Sequence, residues 1–274
     1  MTDRRPARRG ARDRPGGLSA AVGTVSVVLV LLAVIVLVGA LVVGTGVKRE
    51  STPRILVPRD VPPAPGAVAP AIDVHAPGRT ALQLRDWAEG QSELTGIPVE
   101  ALMAYGNADV IARGSRPQCH LQWNTLAGLG YVETRHGTYD GVTFGAAELG
   151  DDGVVRPPIV GPALDGSAGF AEIRDTDGGR LDGDPEYDRA VGPLQFIPES
   201  WARYGIDASG DDVADPQNIE DAAASAVRLL CADGRDLATP EGWTDAVASY
   251  NRSGVYIGDV RDAAAHYAVG QPPS

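Results

Sequence analysis

Ala20–Val47 is an unbroken run of 28 residues without a single charge, built mostly from Val, Leu, Ala and Gly. About 20 apolar residues suffice to cross a bilayer as a helix. The apolar core of a secretory signal is shorter, about 7–15 residues. Ahead of the run stand six arginines, Arg4, Arg5, Arg8, Arg9, Arg12 and Arg14, against Asp3 and Asp13. A basic flank of this kind stays on the cytoplasmic side. The chain is therefore expected to have a basic cytoplasmic tail over 1–18 and one uncleaved transmembrane signal anchor over 19–47. All that follows would lie outside the cytoplasm, at the cell membrane and facing outward. A long cleaved signal peptide is the alternative.

Without the tail the chain carries 18 basic and 34 acidic residues, a net charge of −16. So acidic a region repels polyanions, which excludes nucleic acid as a partner. Residues 48–77 hold seven prolines, Pro53, Pro58, Pro62, Pro63, Pro65, Pro70 and Pro77. They read as a semi-rigid spacer that reaches roughly 90 Å at ~3.1 Å per residue. Cys119 and Cys231 are the only cysteines. An exported location permits a disulfide between them, two buried thiols being the alternative. They form no Cys-x-x-Cys pair and the four histidines are scattered, which argues against zinc.

From residue 78 to 274 the pattern is helical. Helices are expected over 80–95, from Pro98 onward, over 123–136, at "PESWARYG", over 219–232, from the Thr239–Pro240 start, and over 254–268. No alternating strand pattern competes. Residues 137–192, rich in Gly, Asp and Pro, are expected as a long ordered loop region.

In the 123–136 helix, Leu126, Leu129 and Glu133 share one face. Glu133 thus takes a core position in the last turn, with Gly137 expected as the left-handed cap. Burial and the negative end of the helix dipole both raise the affinity of such a carboxylate for its proton. That is what a general acid near neutral pH requires. Arg135 and His136 would oppose this if they turned toward it. The alternatives are a surface glutamate on a helix of different phase, or half of a di-iron site, for which the remaining ligands are missing.

"LAGLGYVETRHG" (126–137) resembles the catalytic segment of lytic murein transglycosylases, exported lysozyme-like helical enzymes that cut peptidoglycan glycan strands. "AVGPLQFIPESW" (190–201), "DASGDDVADPQN" (207–218) and "SYNRSGVY" (249–256) resemble three further blocks in the family's order. The likeness is to the membrane-bound B-type, and "DTDGGRLDGD" (175–184) is similar to actinobacterial members. The implied fold is mainly α, a lysozyme-like helical domain with long ordered loops behind one transmembrane helix and a Pro-rich linker. Glu133 is implied as the catalytic acid and then base. Thr134, which stands where the family usually has Ser, and Gln195, Phe196, Tyr250 and Asn251 are implied as sugar-binding residues. The implied reaction cleaves the N-acetylmuramic acid–N-acetylglucosamine bond without water and gives a 1,6-anhydro end.

Two rival readings remain. One is a hydrolytic muramidase, should Asp175, Asp177, Asp182 or Asp184 reach the opposite face of the sugar. The other is a non-catalytic glycan-binding scaffold working with cell-wall synthesis or division proteins. No cofactor is needed for the chemistry. Asp207, Ser209, Asp211, the Val213 carbonyl, Asp215 and Asn218 fall at the ligand positions of an EF-hand-like loop, which predicts weak structural calcium. Asp212 replaces the usual turn glycine, and Asn218 cannot supply a charged bidentate pair.

Overall fold

The computed structural model describes residues 55–138, 146–167 and 171–273. The expected basic tail and membrane anchor, and residues 48–54 of the expected spacer, lie outside these. No described helix is long and apolar enough to cross a membrane.

Seven α-helices dominate the described residues: α1 Arg85–Thr95, α2 Val99–Ser115, α3 Trp123–Thr134, α4 Pro198–Tyr204, α5 Ile219–Leu230, α6 Pro240–Ala248 and α7 Gly254–Ala268. Local chemistry fixes several starts. Thr239 accepts the Gly242 N–H ahead of Pro240, as its sequence predicts. Asn218 accepts the Glu220 N–H at the head of α5, and Ser253 caps α7. Pro98 departs from expectation, since it sits at the cap and the helix opens at Val99. The 3₁₀ turn Pro117–Cys119 ends on Cys119, which forms the expected disulfide with Cys231, closing a separation of 112 residues. A loop that long contributes about 4–5 kcal/mol in the chain-entropy model.

The 137–192 region is more structured than its composition predicts. Glu148–Leu149 (β1) pairs antiparallel with Val155–Arg156 (β2), and Val160–Ala163 (β3) pairs with Arg189–Val191 (β4). Strands of two to four residues are too short to display an alternating pattern.

Helix α3 is buried on every side from Trp123 to Gly130, so it forms the axis of the core. Its tightest neighbour is α7. A Cβ on Gly128 would stand 2.7 Å from the Val260 carbonyl oxygen, so only glycine lets the two backbones meet there. Asn124 donates to the Ala264 carbonyl at 3.1 Å, tying the same pair of helices.

The expected spacer is largely part of this fold. Pro63, Gly66 and Ala69 are buried while the residues between them are exposed, matching the three-residue repeat of polyproline II. Gly66 packs on the Trp123 indole, whose Nε1 donates to the Ala67 carbonyl at 2.8 Å. Asn124 donates to the Ala64 carbonyl, Arg113 to that of Ala69 and Arg261 to that of Arg59. The Gln271 side chain pairs with both backbone groups of Ile55. Residues 55–77 are thus a strap tied to the domain through the backbone of Ile55, Arg59, Ala64, Gly66, Ala67 and Ala69.

Candidate active site

Glu133 occupies the last turn of α3 and is half-buried. The helix ends with three successive left-handed residues, Arg135 (φ 54°), His136 (φ 64°) and Gly137 (φ 80°). The cap is therefore Arg135, two residues before the glycine expected in that role. It holds because the His136 N–H reaches back to the Gly130 carbonyl at 2.8 Å, a Schellman-type bond.

Tyr256, in the first turn of α7, donates its hydroxyl to Glu133 Oε1. Burial pushes the Glu133 carboxyl up to about 7, and the Tyr256 bond partly offsets that rise. The two cations able to oppose it point elsewhere. Arg135 stacks 3.9 Å above the Tyr131 ring. His136 is buried between Tyr105 Oη (3.1 Å from Nδ1) and Tyr267 Oη (2.8 Å from Nε2). Burial, aided by Arg135, pushes its imidazole down to about 3, so it is neutral.

Tyr250 lies close enough to Glu133 to feel its charge, which together with burial raises the phenol well above its ordinary value. Its hydroxyl is buried and has no partner among the described residues. Such an atom is costly unless a ligand or water satisfies it. Gln195 is half-buried with φ 48°, and its Nε2 donates to the Gly192 carbonyl at 3.0 Å, closing the 192–195 turn. Asn251 is exposed and accepts the Ser253 N–H.

Two residues expected at the sugar, Phe196 and Thr134, are buried. Phe196 is only 2% exposed, wedged edge-on against Trp201 and Tyr250. Thr134 is buried; its hydroxyl donates to the Pro193 carbonyl at 2.6 Å and accepts the Gly137 N–H at 2.8 Å. Its task is to fasten α3 to the Gly192–Gln195 turn. That turn has no slack: a Cβ on Gly192 (φ 75°) would lie 1.7 Å from the Pro216 carbonyl oxygen. Gly192→Ala is expected to cost about 2–4 kcal/mol, read as a fall in melting temperature.

Neither Tyr256 nor the pair of bonds at His136 carries a local sequence signature. Tyr256 lies at the end of the "SYNRSGVY" block, but only the folding of α7 against α3 brings it to Glu133.

The acidic loops are occupied with their own backbone. Asp175 accepts N–H groups of Asp177, Gly178 and Gly179, and Asp177 those of Arg180 and Leu181. Asp182 accepts from Asp184 and Arg189, and Asp184 from Glu186, Tyr187 and the Arg189 guanidinium. In 207–218, Asp207 accepts from Gly210 and Asp212, Asp211 from Val213, and Asp215 from Gln217. Ser209 donates its hydroxyl to Asp207, and Asn218 is spent as the α5 cap. Asp221, outside the expected ligand set, gathers the N–H groups of Ala208, Ser209 and Asp215. No cluster of three His, Cys, Asp or Glu side chains able to hold a metal occurs among the described residues. Asn218 caps α5, and the expected calcium loop is held by Asx turns and by Asp221.

Residues 186–248 match the family model described as Transglycosylase SLT domain. The match supports a lytic transglycosylase family and action on peptidoglycan glycan strands, and the mainly helical architecture is consistent with it. The SLT-matched segment runs from just before β4 to the end of α6. It contains Gln195 and Phe196; Glu133 precedes it, and Tyr250 and Tyr256 follow it. No curated protein and no solved structure matches the chain.

Proposed function

We propose that the chain is a membrane-anchored peptidoglycan lytic transglycosylase of the B-type, akin to actinobacterial members, in which Glu133 is the general acid and then the base. The observation that carries this is the half-buried Glu133 carboxyl, raised to about 7 and held by Tyr256. Tyr256 stays protonated because burial and the neighbouring Glu133 raise its own phenol. Its hydroxyl therefore donates to Oε1, which leaves Oε2 to carry the catalytic proton.

That proton passes to the glycosidic oxygen between N-acetylmuramic acid and N-acetylglucosamine as the bond to the anomeric carbon breaks. The substrate's acetamido oxygen stabilises the positive centre. Glu133, now ionised, takes the proton of the muramyl C6 hydroxyl, whose oxygen closes on the anomeric carbon. One residue serving in both directions follows the general acid–base pattern, and no cofactor is required. The four aspartates of 175–184 are committed to N–H groups, so nothing in that loop favours a second catalytic carboxylate.

Product analysis by mass spectrometry of digested sacculi is the test. The expected ends are 1,6-anhydro muramyl residues, formed at a rate that falls as pH rises through about 7, where Glu133 loses its proton. Reducing muramyl ends would instead mean hydrolysis, and glycan binding without any cut would mean a scaffold.

A further inference from the structure

Helix α7 offers two tyrosine hydroxyls to the end of α3. Tyr256 and Tyr267 stand eleven residues apart, about three turns, and so share one face. They bond positions 133 and 136 respectively. The second bond is doubled, because the opposite ring nitrogen of His136 meets Tyr105 of α2. We infer that His136 is a positioning residue: by joining Tyr105 to Tyr267 it fixes the end of α3 so that Glu133 meets Tyr256 in one orientation. This rests on the acid role proposed for Glu133.

The turn needs such an anchor. Left-handed backbone costs a non-glycine residue roughly 1–2 kcal/mol, and Arg135 and His136 both adopt it. Bonds from outside the turn must hold it. Thr134 supplies one through Pro193, and His136 supplies the other two. Glu133 immediately precedes these anchors. A neutral imidazole has one donor and one acceptor, so one tyrosine hydroxyl gives and the other receives. The groups facing His136 are Tyr105 from α2, Tyr131 and Arg135 from its own segment, and Tyr267 from α7. None of these is an anion that would charge the ring. Glu133 is faced by Tyr256 from α7 and by Tyr250 from the segment after α6.

His136→Phe and Tyr267→Phe in the full chain test the inference. Each is expected to lower kcat roughly ten- to hundred-fold, the scale on which a small misplacement of a reacting group acts. KM should move by less than about two-fold, since sugar contacts are untouched. The alkaline limb of the rate profile should shift to higher pH, because a loosened Tyr256 bond no longer favours the ionised carboxylate. His136→Gln, which keeps a donor and an acceptor, should recover most of the loss. Variants that lose melting temperature but keep kcat per folded molecule and the original pH limb would overturn the inference. So would His136→Gln behaving like His136→Phe. Tyr267→Phe removes a single oxygen and gives the same readout where His136→Phe does not fold. If Glu133→Gln abolishes cleavage while the His136 and Tyr267 variants behave normally, only the positioning role falls. If Glu133→Gln still cleaves, the acid assignment falls with it.

Discussion

Glu133→Gln in the full chain is expected to slow glycan cleavage by roughly 10²–10⁴-fold or more, the range for removing a positioned general acid. The amide keeps an acceptor for the Tyr256 hydroxyl, so the loss would report on the proton and not on the packing. The same variant is expected to be more stable than the parent at pH 8. The carboxyl ionises at about 7 when folded, against an ordinary value of 4.5. Below 4.5 both states hold the proton and nothing is lost. Between 4.5 and 7 the unfolded chain ionises first, which drains stability from the native state. Above 7 the deficit is constant, on the order of 3 kcal/mol. Glutamine does not titrate and escapes it. Melting curves of both proteins at pH 4 and pH 8 check the sign; a gap that fails to widen at pH 8 would contradict a buried neutral acid.

Removing residues 55–77 is the second large effect. The strap covers the Trp123 indole and accepts bonds from Trp123, Asn124 and Arg113. Stripping it should destabilise the domain by about 3–5 kcal/mol, from exposed aromatic surface and lost hydrogen bonds. Typical domains hold only about 5–15 kcal/mol in total, so a fragment starting at residue 78 should melt far below one starting at 55. Equal melting temperatures would show the strap to be ornamental.

The contrast between strap and spacer marks where the sequence was legible. Helix starts with a local signature, such as Thr239–Pro240, could be read directly, because a cap needs only neighbours in the chain. Glu133 could be placed on a helix face by spacing alone. The strap is hard to see in the sequence because proline content speaks for stiffness and says nothing of docking. Its signal was a three-residue repeat of small or cyclic residues, Pro63, Gly66 and Ala69. Resemblance alone points Thr134 and Phe196 toward sugar, whereas their partners Pro193 and Tyr250 come from distant segments that only folding brings near. The short strands of 148–191 carry too few residues for any period to emerge. Tyr256 is the most instructive case, since a tyrosine in a first helical turn has no local mark that tells a proton partner from a core filler.

The bond between Glu133 and Tyr256 spans 123 residues, and the pairing of Ile55 with Gln271 spans 216. Synthesis runs from the N-terminus, and contacts this distant in sequence cannot form before their later partner exists. A growing chain therefore carries Glu133 on a helix with no companion, and an unsheltered carboxylate has the acidity of any surface glutamate. With Glu133 as the proposed acid, a copy that ends before α7 is expected to be inert.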